Sequence, residues 1–228
     1  DLAAMSVAQV AAFTGDQINA LTPNQTAELT PRQVPALSSG QINAIGATDL
    51  ASFTTAQFAA MSVAQIGAIN TAQMGSMQTA DLATLSTAQV RALSTAAVGA
   101  LTSDGLQALS TAQVASLTTA QVHALSTAII DKRETADLAA MSTAQIAALD
   151  TDQFGALATT QLANLTATQV AALSAGQLEQ LSGAELSAFD STRIAALTAT
   201  QVAGLNTEQI TGLATADLAA FTTAQVRA

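Results

Sequence analysis

Residues Leu109 to Ala124 read LSTAQVASLTTAQVHA, nearly one eight-residue phrase written twice. A period of eight fits neither the 3.6-residue period of an α-helix nor the two-residue period of a strand. A chain built on it has to break its secondary structure within each repeat.

With each octad started at its Leu, the first positions run from Met5 to Phe221, and 27 of these 28 are large apolar residues, the exception being Arg133. The sixth positions run from Leu2 to Val226, 29 in all, with Thr26 the one exception. All six Phe and all five Met fall in these two positions, and no insertion shifts the phase. The pattern implies a core of two residues per octad, with Ala filling the close contacts around it.

The second position is Ser, Thr, Asp or Asn in 23 of 28 octads, and the fifth is Gln in 19 of 29. Together they spell Ser/Thr-x-x-Gln, a capping box. The hydroxyl accepts the backbone N–H three residues on, and the Gln reaches back to the N–H of the cap residue. The first-position Leu precedes the cap and the sixth-position Val is the fourth helical residue, so the pair forms a hydrophobic staple. Pro23 and Pro31 sit at the first helical position, where a missing N–H is harmless. Pro35 lies late in its octad and is expected to loosen that turn.

A continuous helix would place a cap in its interior every two turns, and its apolar stripe would drift by about 80° per octad. A strand would send the Leu and the Val to opposite faces. The expected fold is all-α: a repeat solenoid of very short capped helices, one per eight-residue repeat, stacked into a superhelical rod. Each helix is expected to span six or seven residues, roughly 9 Å, and helices this short need neighbours to stand in water. Residues 1–228 read as one continuous array, with an irregular charged repeat at 129–137, and the whole as an interior piece of a longer array.

The absence of Cys excludes disulfides, thiolate nucleophiles and Cys-ligated zinc. No GxGxxG, phosphate loop or GxSxG elbow occurs, so no cofactor is expected and an enzyme is the least favoured class. Asp150 and Asp152 lack the rest of an oxygen-ligand loop for calcium. The lone His123, in the variable seventh position, reads as solvent-exposed. A net charge of −10 argues against nucleic acid as a partner, and no apolar run approaches the ~20 residues of a membrane span. Thirteen of the 16 acids lie at the cap or at the second or third helical position, where the partial positive charge of a helix start favours them. Five octads lack a Ser, Thr, Asp or Asn cap, at Gly46, Gln78, Glu134, Ala158 and Ala214. Four of the five carry Asp three residues later, at Asp49, Asp81, Asp137 and Asp217, which reads as charge compensating for the lost cap.

The one charged run is IIDKRETAD, Ile129 to Asp137. Asp131, Lys132, Arg133 and Glu134 are its candidate hinge, protease or docking residues. The plainer reading is a solvated irregularity in which Arg133 turns its charge outward.

The phrase LTPRQV, Leu29 to Val34, resembles the opening of transcription-activator-like effector repeats. Those repeats are much longer and basic and read bases with paired variable residues, so a DNA-reading role is set aside. Over its whole length the chain resembles the LTTAQVxA arrays of very large bacterial proteins that look like secreted or surface adhesins. That resemblance implies an extracellular structural segment at the cell surface, with no ligand and no functional residues to carry over.

Three functions compete. The first is a spacer, stalk or filament-forming segment. The second is a protein-binding scaffold, for which only Ile129 to Asp137 offers unusual exposed residues. The third is an ordered-water surface, since Thr fills the third position in 15 of 28 octads. Homotypic association, end to end or lateral, is the expected partnership; any other protein partner is unidentified.

Overall fold

The computed structural model describes residues 1–228 and contains 27 α-helices of four to six residues, from Val7–Ala11 to Thr223–Val226, with no strand. Two octad positions carry 3-10 segments instead, Leu2–Ala4 and Val34–Ala36. Eight of the helices reach the expected six residues and the other nineteen have four or five, because each octad spends its last residues on a tight return. Leu117 donates its N–H to the Val114 carbonyl at 3.1 Å, three residues back, and Met61, which closes the helix Thr55–Ala60, is already extended. Such three-residue bonds tighten a last turn and satisfy one of its orphan carbonyls. Pro35 acts as expected, since its octad forms only a turn and the segment Val34–Ala36.

The chain divides into two compact units, Asp1–Leu125 and Ser126–Ala228, and the octad register runs through the boundary unbroken. In the first unit, helices pack on the helix three octads away: Gly15–Asn19 on Ser39–Ala44, Ala47–Leu50 on Thr71–Ser76, and Val63–Gly67 on Thr87–Ala92. The second unit repeats the pattern with Ala167–Ala171 on Ser191–Ala196 and Gly183–Leu186 on Thr207–Gly212. Three octads therefore make one turn of the solenoid in each unit.

The first and sixth positions form the core, with Phe58, Val90, Ile146, Phe154 and Leu165 fully enclosed. Thr26, the exception at the sixth position, is enclosed as well. Its hydroxyl bonds to the Pro23 carbonyl at 2.9 Å, the Asp49 carbonyl at 3.2 Å and the Ser52 hydroxyl at 3.0 Å, so a polar atom sits in the stripe without an unmet bond. Turns approach closely where the seventh position is small. A Cβ on Gly67 would lie 3.0 Å from the Ala92 carbonyl oxygen.

The two-residue core implied by the sequence is incomplete. From Gln33 onward, the fifth-position Gln side chains are buried too. They are the polar spine of the fold.

Candidate functional site: the glutamine slot and the charged octad

A helix of five residues has no interior, because nearly all of its backbone groups belong to one end or the other. Stacking such helices buries both ends, and buried N–H and C=O groups need partners. Gln supplies both kinds. In the octad of Gln113, the side-chain Oε1 accepts the Ser110 N–H at 2.7 Å, while the Ser110 hydroxyl accepts the Gln113 N–H at 3.3 Å. This is the expected capping box, and it uses only one end of the amide.

The other end of the amide faces the preceding turn. Gln113 Nε2 donates to the Leu85 carbonyl at 2.7 Å and to the Leu82 carbonyl at 2.9 Å, respectively 28 and 31 residues back. Leu82 lies in the last half of the helix Thr79–Thr84. One side chain thus closes the N-terminus of its own helix and the C-terminus of a helix on the turn before. Eight Gln in the first unit and at least six in the second make the 28-residue bond, those fourteen at 2.5–2.9 Å. None of these fourteen is more than 8% exposed.

The substitutions in this slot show what it requires. Arg193 keeps a donor there, with Nε reaching the Leu165 carbonyl 28 residues back, and pairs with the cap carboxylate of Asp190 at 2.5 Å. The Arg193 backbone N–H holds the Asp190 carboxyl below the usual range, opposed by burial and helped by smaller contributions from the Arg193 charge and side-chain hydrogen bond. Glu185 closes its own cap, accepting the Ser182 N–H at 2.9 Å, but it has no N–H to give and stays half-exposed. Ala97 and Gly105 leave the slot without a polar group, and Leu82 lies 3.1 Å from where a Cβ on Gly105 would sit.

The Asp residues in the slot stand in the first turn of helices whose caps, Gly46, Gln78, Glu134 and Ala214, make no side-chain cap bond. At the first of these, Asp49 curls back onto the cap residue: a Cβ on Gly46 would lie 2.6 Å from Asp49 Oδ2. Crowding of this kind is a physical reason for glycine at this one cap.

In the charged octad, the helix Thr127–Ile130 has an irregular cap, with the Ser126 hydroxyl accepting from Ala128 at 3.2 Å instead of from the residue after it. Ile129 fills the slot position and is buried. Lys132 pairs with Asp131 at 2.7 Å on the surface, and Glu134 is exposed. Arg133 does not turn outward. Its side chain is 4% exposed and forms an ion pair with Asp137, itself 5% exposed, in the first turn of the helix Thr135–Ala140. Burial pulls the guanidinium below its ordinary range, opposed by the charge and hydrogen bond of Asp137 and by the charge of Glu134. The Arg133 carbonyl accepts Gln161 Nε2 at 2.7 Å, like the carbonyl of any first-position residue. Of the four candidate residues, three reach the surface and Arg133 belongs to the interior.

His123 is exposed. The surface hollow between turns at Ser39, Asn43, Gly67 and Asn70 is open and lined by small uncharged residues. No three acidic or His side chains converge, and no helix is long and apolar enough to cross a membrane.

Compared with known families, the chain matches the one described as "ALTTAQ repeat" at residues 1–31, 42–79, 74–109, 103–132 and 130–167, together more than half of its length. No curated protein matches it.

Proposed function

Because the chain belongs to the ALTTAQ repeat family, we propose that it is a structural spacer rather than an enzyme, a segment that holds other parts of a bacterial secreted or surface protein at a distance. The observation that carries this reading is the glutamine slot. The fixed 28-residue step of its bonds lets each new octad dock on the turn before it by the same contacts, so length is added without new chemistry. The side chains that vary least are spent on this internal docking. The burial of Arg133 supports a spacer over a docking scaffold, since it withdraws the most unusual cation of the charged octad from partners.

Self-association belongs to the same reading. Gln9, Gln17 and Gln25 are exposed, and within these 228 residues there is no turn before them to receive their amides. In the last octads Leu218 is 41% and Val226 71% exposed. The polypeptide studied alone completes both faces by stacking copies head to tail, a heterologous contact that propagates into filaments.

Small-angle scattering on the chain, and on versions lengthened by whole 24-residue turns, tests the spacer reading. A maximum dimension that rises by a constant step per added turn supports it. Growth by widening at constant length overturns it. A sedimentation series over concentration tests the stacking, which a strictly monomeric species at high concentration would refute.

A further inference from the structure

Three of the Asp side chains in the glutamine slot are buried, and the structure supplies two of them with a donor. Asp137 has the Arg133 guanidinium, and Asp217 Oδ1 accepts the Ser191 hydroxyl at 2.9 Å. Asp81 has no such side-chain neighbour, and its donor is the Gln78 backbone N–H. It is 2% exposed, and its Oδ2 is enclosed with no hydrogen-bond partner.

The register makes that oxygen the informative one. A Gln at position 81 would donate to the Phe53 and Leu50 carbonyls, 28 and 31 residues back, as Gln73 does to Ile45 at 2.7 Å and Ile42 at 2.8 Å. An ionised Asp can only accept, so it would set a second negative oxygen where the fold calls for an N–H. The cap residue supplies part of the deficit, since Gln78 Nε2 donates to the Ala51 carbonyl at 3.1 Å. The Phe53 carbonyl is left without the slot amide.

No cation offsets an Asp81 charge. The helix Thr79–Thr84 packs on Thr55–Ala60, which has no charged residue, and on Ser103–Gln107, whose only one is the exposed Asp104. The octads before and after it in the chain contribute one charged group, the exposed Arg91. Burial raises the Asp81 carboxyl above the ordinary aspartate range, against a smaller lowering by the Gln78 backbone N–H.

We propose that Asp81 is a proton-binding site of the folded array: when protonated, its O–H stands in for the missing amide toward the Phe53 carbonyl, and its ionisation loosens this turn. On ionisation the O–H proton passes to water and the carboxylate is left facing carbonyl oxygens. A group whose folded pKa is raised contributes stability that is fully present below its unfolded pKa and lost as pH rises through the folded one. The turn at Asp81 therefore tightens in acid, where salt-bridged carboxylates elsewhere would weaken. This inference does not depend on the spacer reading.

The test is urea unfolding of the wild type and Asp81→Asn from acid to neutral pH, with Asp104→Asn as the exposed control. The wild type is expected to lose stability relative to Asp81→Asn as pH rises. The folded-to-unfolded ratio should fall up to tenfold for each unit that separates the folded and unfolded Asp81 pKa values, and Asp104→Asn should show no such divergence. A wild type that gains on Asp81→Asn with rising pH, or a difference that does not change with pH, overturns the proposal. Carboxyl-carbon NMR of the folded chain, assigned by the signal missing in Asp81→Glu, reads the site without relying on Asp81→Asn folding. A midpoint above the ordinary aspartate value supports the proposal, and one at or below it overturns it.

Discussion

Gln113 and Leu85, 28 residues apart, are joined by a 2.7 Å bond from the Gln amide to the Leu carbonyl, made by a side chain whose oxygen is already committed to the Ser110 N–H. The bond changes the order of importance within the capping box. Ser110 serves its own helix, whereas Gln113 serves two. Ser110→Ala should destabilise by about 1 kcal/mol. Gln113→Ala strands the Ser110 N–H and two carbonyls and should cost ~2–3 kcal/mol. Gln113→Glu should cost at least as much at neutral pH, because it replaces the donor with a buried charge facing two carbonyl oxygens. Urea midpoints decide the matter, and a larger loss in Ser110→Ala would mean that the bonds between turns contribute little.

The register has its own check. Leu109 is 4% exposed in the stripe, whereas Ala115 is half-buried on the variable seventh position. Leu109→Asp places an unpaired charge in the core and should cost several kcal/mol. Ala115→Asp should leave helicity nearly intact. Circular dichroism of the two variants distinguishes them, and comparable losses would contradict the assignment of faces.

The existence of short helices, the one-per-octad spacing and the apolar stripe were legible because each leaves a mark within eight residues: a cap, a staple, a phase. The path between turns leaves no local mark, since Gln113 and Leu85 are linked only after three octads close a turn. One trace was nevertheless present. Glu closes a capping box as well as Gln does, yet the fifth position holds 19 Gln and a single Glu. A preference that strong implies a use for the amide N–H, which local capping does not have. Arg133 was misread for a related reason. A lone charge in an apolar column looks like an outward excursion until the fold sets Asp137, in the first turn of the next helix, beside it.

Glycine substitutions separate close approach from helix propensity. A Cβ on Gly183 would lie 2.5 Å from the Glu208 carbonyl oxygen, and one on Gly212 would lie 2.8 Å from Gly183, whereas a Cβ on Gly75 meets nothing within 4 Å. Gly183→Ala should therefore cost ~1–3 kcal/mol by forcing the backbones apart. Gly75→Ala, inside the helix Thr71–Ser76, should stabilise by ~0.5–1 kcal/mol. Thermal melts moving in opposite directions are the expected result, and a shift in the same direction would show that packing between turns is not what selects these glycines.

The buried pair Arg133 and Asp137 stands where the other octads place an apolar first residue and, most often, a Gln. Removing either partner alone leaves the other charge enclosed and uncompensated, at a cost of ~3–5 kcal/mol. Arg133→Ala and Asp137→Ala should therefore both destabilise strongly. The effect should survive added salt, because buried pairs are screened far less than surface ones. Exchanging both at once is different, since the low-dielectric attraction of a buried pair often does no more than offset the desolvation of its charges. The double variant Arg133→Leu with Asp137→Gln restores the common octad, with an apolar first residue and an amide in the slot. It should unfold at a urea concentration equal to or above that of the wild type. A double variant as unstable as the single ones would mean that the ion pair is held by its surroundings in a way an ordinary octad cannot replace, and that the charged repeat is a required irregularity instead of a tolerated one.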